Sequence, residues 1–200
     1  MKVKNPFVFK EYDIRGIVEQ DFSEPLIRAV GQAFGTFVIR ETGKKSPVVA
    51  IGRDVRLSGP YLLEWLSGGL CAAGVKVLDL GPCPTPTTYF SLFNLPVDGA
   101  VMITGSHNPK EYNGFKLCFN KTTLFGSKIQ DIRTSIENDD FEKGNGSREK
   151  KDGILDSYIS HLIKRHQKIA AHKPPLRIVV DAGNGTAGLV MPTILKKLGC

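Results

Sequence analysis

Between Ser23 and Glu137 the chain alternates amphipathic stretches of helical spacing with apolar runs of only five or six residues. A helix of that kind buries one stripe, and a short run of Val, Ile and Leu needs cover on both sides. The two in alternation specify an α/β domain with a mostly parallel sheet. Residues 23–40 bring Leu26, Ile27, Val30, Ala33, Phe34 and Phe37 onto one face, with Ser23 as N-cap, Pro25 in the first turn and Gly43 as the stop. Residues 47–51 read as a buried strand, 59–73 as a helix ended by Gly74, 75–80 as a strand, 85–95 as a shorter helix, and 97–104 as a strand. Residues 114–119 form another strand, and 128–137 a helix. The loop before residue 114, through Asn113-Gly114, is too short for a helical crossover, so that strand is expected to be antiparallel.

The expected fold class is therefore α/β: a mixed, mostly parallel sheet with helices on both faces, followed by the start of a second α/β domain. The first domain is placed at residues 1–138 and a polar, charged linker at 139–152, around Gly144-Asn-Gly-Ser147. The second domain begins at 153–200 with a helix over 155–171, a strand over 176–180 and a helix over 187–198. One helix and one strand–helix unit are too little for a sheet domain, so the second domain is expected to be cut short at Cys200.

Composition narrows the function. The net charge is +7 on 200 residues, which favours anionic partners. The densest basic stretches, 148–151 and 164–173, hold no aromatic residue, and they are read as solvated faces or linker rather than a nucleic-acid surface. No apolar run approaches the roughly 20 residues that span a bilayer. Residues 1–10 lack the apolar core, about 7–15 residues long, of a secretory signal. The expectation is a cytoplasmic protein with neither membrane nor nucleic acid as partner. The cysteines Cys71, Cys83, Cys118 and Cys200 form no C-x-x-C pair, and no H-E-x-x-H is present, so these residue types offer no metal site. Cys71 and Cys118 read as small core residues.

The richest chemistry lies in Thr104-Gly-Ser-His-Asn-Pro109 and on to Lys116, beginning at the carboxyl end of a strand, where open α/β sheets bind ligands. Ser106 brings a hydroxyl, His107 a titratable ring, Asn108 an amide and Lys116 a cation; a plain polar surface loop would share much of this composition. A serine hydrolase is not supported, because triads are assembled from distant positions and no G-x-S-x-G elbow is present. Arg15, Arg53 and Arg56 could bind phosphate or hold loops through carboxylates; for Arg53 and Asp54 the loop-holding role is favoured. Gly183-Asn-Gly-Thr-Ala-Gly188 matches G-x-G-x-x-G, but a dinucleotide site needs an acidic partner about 20 positions on, so a tight turn into a helix is expected.

Tyr12-Asp-Ile-Arg-Gly16, Gly52-Arg-Asp-Val-Arg56, Pro84-Thr-Pro86, Thr104-Gly-Ser-His-Asn-Pro109, Asn113-Gly-Phe-Lys116 and Val180-Asp-Ala-Gly-Asn-Gly185 occur in one order. Together, from about Phe9 onward, they resemble the α-D-phosphohexomutase family, in particular its bacterial phosphomannomutase/phosphoglucomutase members. The resemblance implies four α/β domains around a cleft and interconversion of hexose 1-phosphate and hexose 6-phosphate, of mannose or glucose. It implies that Ser106 is carried as a phosphoserine and that the reaction passes through a hexose bisphosphate. It further implies a Mg²⁺ ion between that phosphate and three aspartates of a D-G-D-x-D-R loop, which this sequence does not contain. By the same resemblance Lys116 polarises or deprotonates the attacking hydroxyl, Arg15 lies near the transferring phosphoryl group, Tyr12 lines the site, and His107 and Asn108 hold the loop or touch substrate, with His107 also a candidate acid. The expected partners are hexose phosphates and hexose bisphosphate. By itself the chain is expected to be inactive. The rival readings are a truncated, non-catalytic fragment that binds phosphosugar, and a nucleotide-binding module resting on Gly183–Gly188 alone.

Overall fold

A computed structural model describes residues 1–171 and 174–200. The chain opens with strand β1 (Ile14–Ile17), the short helix α1 (Val18–Asp21) and the long helix α2 (Glu24–Thr42). There follow β2 (Val48–Arg53), α3 (Gly59–Ala73), β3 (Lys76–Pro82), α4 (Thr85–Asn94), β4 (Gly99–Ile103) and β5 (Tyr112–Phe119). Then come β6 (Thr122–Thr123), α5 (Ser127–Asn138), β7 (Ser147–Lys150), α6 (Ile154–Arg165), α7 (Gln167–Ala170) and α8 (Met191–Lys197). The helix boundaries follow the local chemistry. Ser23 Oγ accepts from the Leu26 N–H at 3.4 Å, Gly43 takes φ +67° after α2, and Gly74 takes φ +106° after α3, a backbone conformation that glycine adopts without penalty.

The strands form one sheet in the order β1-β5-β4-β2-β3-β7, with β6 paired to β5. Strand β2 is parallel to β3 and β4, and β3 is parallel to β7. Strand β5 is antiparallel to β1, β4 and β6, so among the described strands it alone runs against the rest. The antiparallel direction expected of 114–119 is thus observed.

Both faces are covered. Val49, Ile51, Val101, Ile103, Phe115 and Leu117 point to the face packed by α2, α3 and α5. Ala50, Ala100 and Cys118 point to the opposite face, under Leu92 and Tyr89 of α4 and Ile154 of α6. Helices α2 and α3 touch backbone to backbone: a Cβ at Gly31 would lie 2.2 Å from the Leu66 carbonyl oxygen, and one at Gly69 1.9 Å from that of Arg28. Central strand β4, Gly-Ala-Val-Met-Ile, is buried throughout, as its unbroken apolar run requires.

Three segments differ from the sequence expectation. Within the expected linker, Ser147–Lys150 forms edge strand β7 in parallel register with Lys76–Asp79 of β3. All four of its residues are exposed, so the strand is held by the backbone ladder and by Arg148, which pairs with Asp79 at 2.9 Å and Glu64 at 2.6 Å. The expected strand over 176–180 does not form: those residues have no ladder partner among the described residues, and Val179 is 96% exposed. Strand propensity expresses itself only where a neighbour supplies hydrogen bonds and cover. The expected helix over 155–171 is divided between α6 and α7. Of the basic stretch 164–173, residues 172 and 173 lie outside the described residues. From α6 onward the structure has its own small cluster, Ile159, Val190, Ile194 and Leu198.

Candidate functional site

The carboxyl ends of β2, β3 and β4 lie side by side because these strands are parallel, and the loops that follow them meet at one edge of the sheet. The loop after β4 carries Ser106 with φ +54°, a left-handed conformation uncommon outside glycine. Two hydroxyl bonds fix it. The Ser106 N–H donates to Thr104 Oγ1 at 2.8 Å, and Thr104 Oγ1 donates to Asp54 Oδ2 at 2.7 Å. The Ser106 N–H is therefore engaged within the protein rather than offered to a ligand. Its side chain is exposed, and its Oγ lies 3.4 Å from His107 Nδ1, a long contact.

From the loop after β2, Arg56 reaches under the serine loop. Its Nε donates to Asp54 Oδ2 at 3.2 Å. Its Nη1 donates to the carbonyls of Pro109 (2.6 Å) and Tyr112 (3.0 Å), and its Nη2 to those of Ser106 (3.1 Å) and Asn108 (2.6 Å). Arg56 thus holds the loop. Arg53, the last residue of β2, makes one side-chain hydrogen bond among the described residues, to the Asp54 carbonyl at 3.5 Å.

A second group joins this loop to β1. Arg15 Nη1 donates to Asn108 Oδ1 at 2.7 Å, and Arg15 Nη2 is hydrogen-bonded to Asp13 Oδ2. The same Asp13 oxygen accepts from Lys116 Nζ at 3.2 Å. The register explains the meeting: Ile14 pairs with Phe115 and Arg15 with Gly114, so Asp13 falls opposite Lys116 one step beyond the ladder. Arg15 Nε is buried and has no hydrogen-bond partner among the described residues. Buried Asp13 thus carries two cations whose combined charge exceeds its own, which leaves this edge positive.

Ser106, His107, Asn108 and Arg15 are brought together directly, and Lys116 joins them through Asp13. Tyr12 is 66% exposed, one residue before Asp13. The sequence by itself gives no role to Asp13 or Thr104; Asp13 stands within Tyr12-Asp-Ile-Arg-Gly16, but its partners depend on a strand register that spacing does not reveal. Across a cleft of about 460 Å³ from Ser106 and Lys110 stands the turn Gly183–Thr186. Gly183 and Asn184 both have positive φ there, and the turn leads into a short 3-10 helix, in keeping with the tight turn expected. Cys83, at the end of β3, is buried, and burial pushes its thiol pKa up, so it offers no ready nucleophile at this edge.

The family model described as phosphoglucomutase/phosphomannomutase, alpha/beta/alpha domain I, matches residues 6–143. The chain belongs to that family. It is 41% identical over 193 residues to the phosphomannomutase/phosphoglucomutase of Pseudomonas aeruginosa, covering 96% of this chain and 40% of that protein. It is 40% identical over 194 residues to the phosphoglucomutase of Neisseria gonorrhoeae, with the same two coverages, 96% and 40%. The crystal structure of a phosphoglucomutase/phosphomannomutase family protein from Burkholderia thailandensis superposes with a TM-score of 0.88 at 40% identity, over 96% of this chain and 42% of that one. The chain therefore spans about 40% of the length of these relatives.

Proposed function

We propose that this chain supplies the phosphoserine part of a phosphohexomutase, which interconverts hexose 1-phosphate and hexose 6-phosphate, of mannose or glucose, through a hexose bisphosphate. The observation that carries this reading is the exposed, left-handed Ser106 beside the Arg15–Asp13–Lys116 group. Phosphoryl transfer depends on positioning and charge neutralisation more than on covalent help from the protein. In the proposed step a sugar hydroxyl oxygen, polarised by Lys116, bonds to phosphorus as the Ser106 Oγ–P bond breaks, and the proton that the hydroxyl gives up ends on the departing Ser106 Oγ, with His107 the ring placed to carry it. Arg15, with an unused buried Nε, and Lys116 balance charge on the moving group. His107 is the titratable ring in contact with the serine oxygen. Asn108, held by Arg15, and Tyr12 line the approach.

Magnesium belongs to the same reading. Among the described residues no three carboxylate, histidine or cysteine groups gather to hold a metal, and the buried carboxylates of this edge, Asp13 and Asp54, each already accept from an arginine. These residues do not form a magnesium cage; a phosphate on Ser106 would be the chain's own contribution to binding the ion. We read the partners as small phosphorylated sugars, not nucleic acid or membrane, and the location as cytoplasmic. No helix among the described residues is long and apolar enough to cross a membrane.

The test is peptide mass mapping of the complete protein after incubation with hexose bisphosphate. Phosphate is expected on Ser106. Ser106→Ala should abolish transfer and leave the fold intact, since the side chain is exposed. Lys116→Met should slow turnover roughly 10²–10⁴-fold, the range for a lost acid–base group. Phosphate on another residue, or turnover by Ser106→Ala, overturns the reading.

A further inference from the structure

The sequence leaves Arg56 two duties, gripping a phosphate or holding a loop, and the geometry leaves it one. A guanidinium has five N–H donors. Arg56 uses Nε on Asp54, Nη1 on the carbonyls of Pro109 and Tyr112, and Nη2 on the carbonyls of Ser106 and Asn108. No donor remains for a substrate phosphate.

We propose that Arg56, with Asp54 and Thr104, is the positioning device that seats Ser106 for phosphoryl transfer; this rests on the phosphoserine reading above. Asp54 organises both arms. One oxygen accepts from the Arg56 N–H at 3.0 Å, and the other accepts from Arg56 Nε and from the Thr104 hydroxyl. That hydroxyl then takes the Ser106 N–H. The loop is therefore held from its carbonyls by one arm and from the serine amide by the other. Both arms oppose the strain of a left-handed serine. Gly105 is part of the fit: a Cβ there would lie 2.5 Å from Arg56 Cζ and 2.8 Å from the Tyr112 carbonyl oxygen. The arrangement also turns the negative ends of four peptide dipoles toward one half-buried cation, where they do not repel a phosphate on the serine.

The discriminating variants are Arg56→Lys and Arg56→Gln in the complete protein. An ammonium keeps the charge but cannot span four carbonyls and a carboxylate. Positioning predicts that both variants behave alike. Amide exchange over residues 105–112 should accelerate at least about tenfold, and kcat should fall roughly 10²-fold, as expected of a misplaced reacting group. KM should stay within about threefold, because ground-state binding is not what is lost. Thr104→Ser should retain turnover and Thr104→Val lose it, a pair that decides the matter if the Arg56 variants fail to fold. Arg56→Lys with wild-type turnover beside an inactive Arg56→Gln with raised KM would assign Arg56 to phosphate binding and overturn the proposal. Unchanged loop exchange in the Arg56 variants, or wild-type kcat in Thr104→Val, would overturn it as well. A wild type that takes no phosphate on Ser106 sinks the phosphoserine reading together with this role. A phosphorylated wild type with unaffected variants sinks the positioning role alone.

Discussion

Val48–Ile51 and residues 176–180 are near equals as sequence, each a short run dominated by Val, Ile and Leu, yet only the first is a strand. Val49, Ala50 and Ile51 are buried between β3 and β4 with helices above and below, while Leu176, Ile178, Val179 and Val180 are exposed. The contrast extends to whole regions. Up to residue 150, apolar side chains from five helices and a sheet interlock on two faces. After residue 154, four buried residues form a separate cluster, and α6 is the element that reaches back, through Ile154 under the sheet and Tyr158 against Phe90. Apolar composition is a capacity; the stability it brings depends on what surrounds it.

Paired core truncations test whether the two regions are independent. Phe34→Ala, at a fully buried position, should destabilise the sheet region by about 3–5 kcal/mol. Trp65, the sole tryptophan, lies in α3 and reports that transition by fluorescence during urea unfolding. Ile194→Ala should move the Trp65 transition by less than about 0.5 kcal/mol, as a change outside that cooperative unit does. Equal shifts would show that the two regions unfold as one.

A smaller contrast concerns the thiols. Burial raises the pKa of Cys83 and raises that of Cys118 to about 11. Both lie in the sheet region, whereas Cys200 is only half-buried. Iodoacetamide near neutral pH should modify Cys200 first, with Cys83 and Cys118 slower by at least roughly tenfold. Mass mapping over time checks the order, and comparable rates would mean that the sheet region opens as readily as the segment beyond it.

The smallest effect locates the boundary of the stable region. Arg40 of α2 donates to both oxygens of Asp140 at 2.8 Å and to Glu142 at 3.0 Å, which fastens the segment after α5 onto α2. The Arg40 hydrogen bonds hold the Asp140 carboxyl below its ordinary value of 3.8. A depressed folded-state pKa gives stability that is present above the unfolded value and is lost as the pH falls through the lower folded value. Arg40→Met should therefore weaken acid sensitivity in that window, seen as a smaller drop of the urea midpoint on acidification. The pair is solvent-exposed, so the difference should be slight, and identical profiles would show that Arg40 does not fasten this segment to α2.

The same physics explains which parts of the molecule were legible. Helix α2 announces itself because spacing, cap and stop agree, α3 by its spacing and its Gly74 stop, and α5 by spacing alone, with Ile129, Ile132 and Ile136 along one face. Strand β1, Ile-Arg-Gly-Ile, is too short and too polar to stand out, and β7, Ser-Arg-Glu-Lys, carries no apolar signal at all because an edge strand can be held by its ladder alone. At the site, Ser106, His107, Asn108, Arg15 and Lys116 were nameable as residue types in a suggestive order. Asp13, which Arg15 and Lys116 share, was not, because its importance comes from β1 lying against β5 in one register.

Arg56 recognises its loop by backbone oxygens, which every residue possesses, so it is indifferent to the side chains it encloses. Lys110 and Glu111 sit within that loop, exposed. Natural selection can therefore exchange them, and alter the charge that an incoming molecule meets at the rim, while the serine keeps its seat. The geometry of the loop and the charge at its rim are free to evolve on separate schedules.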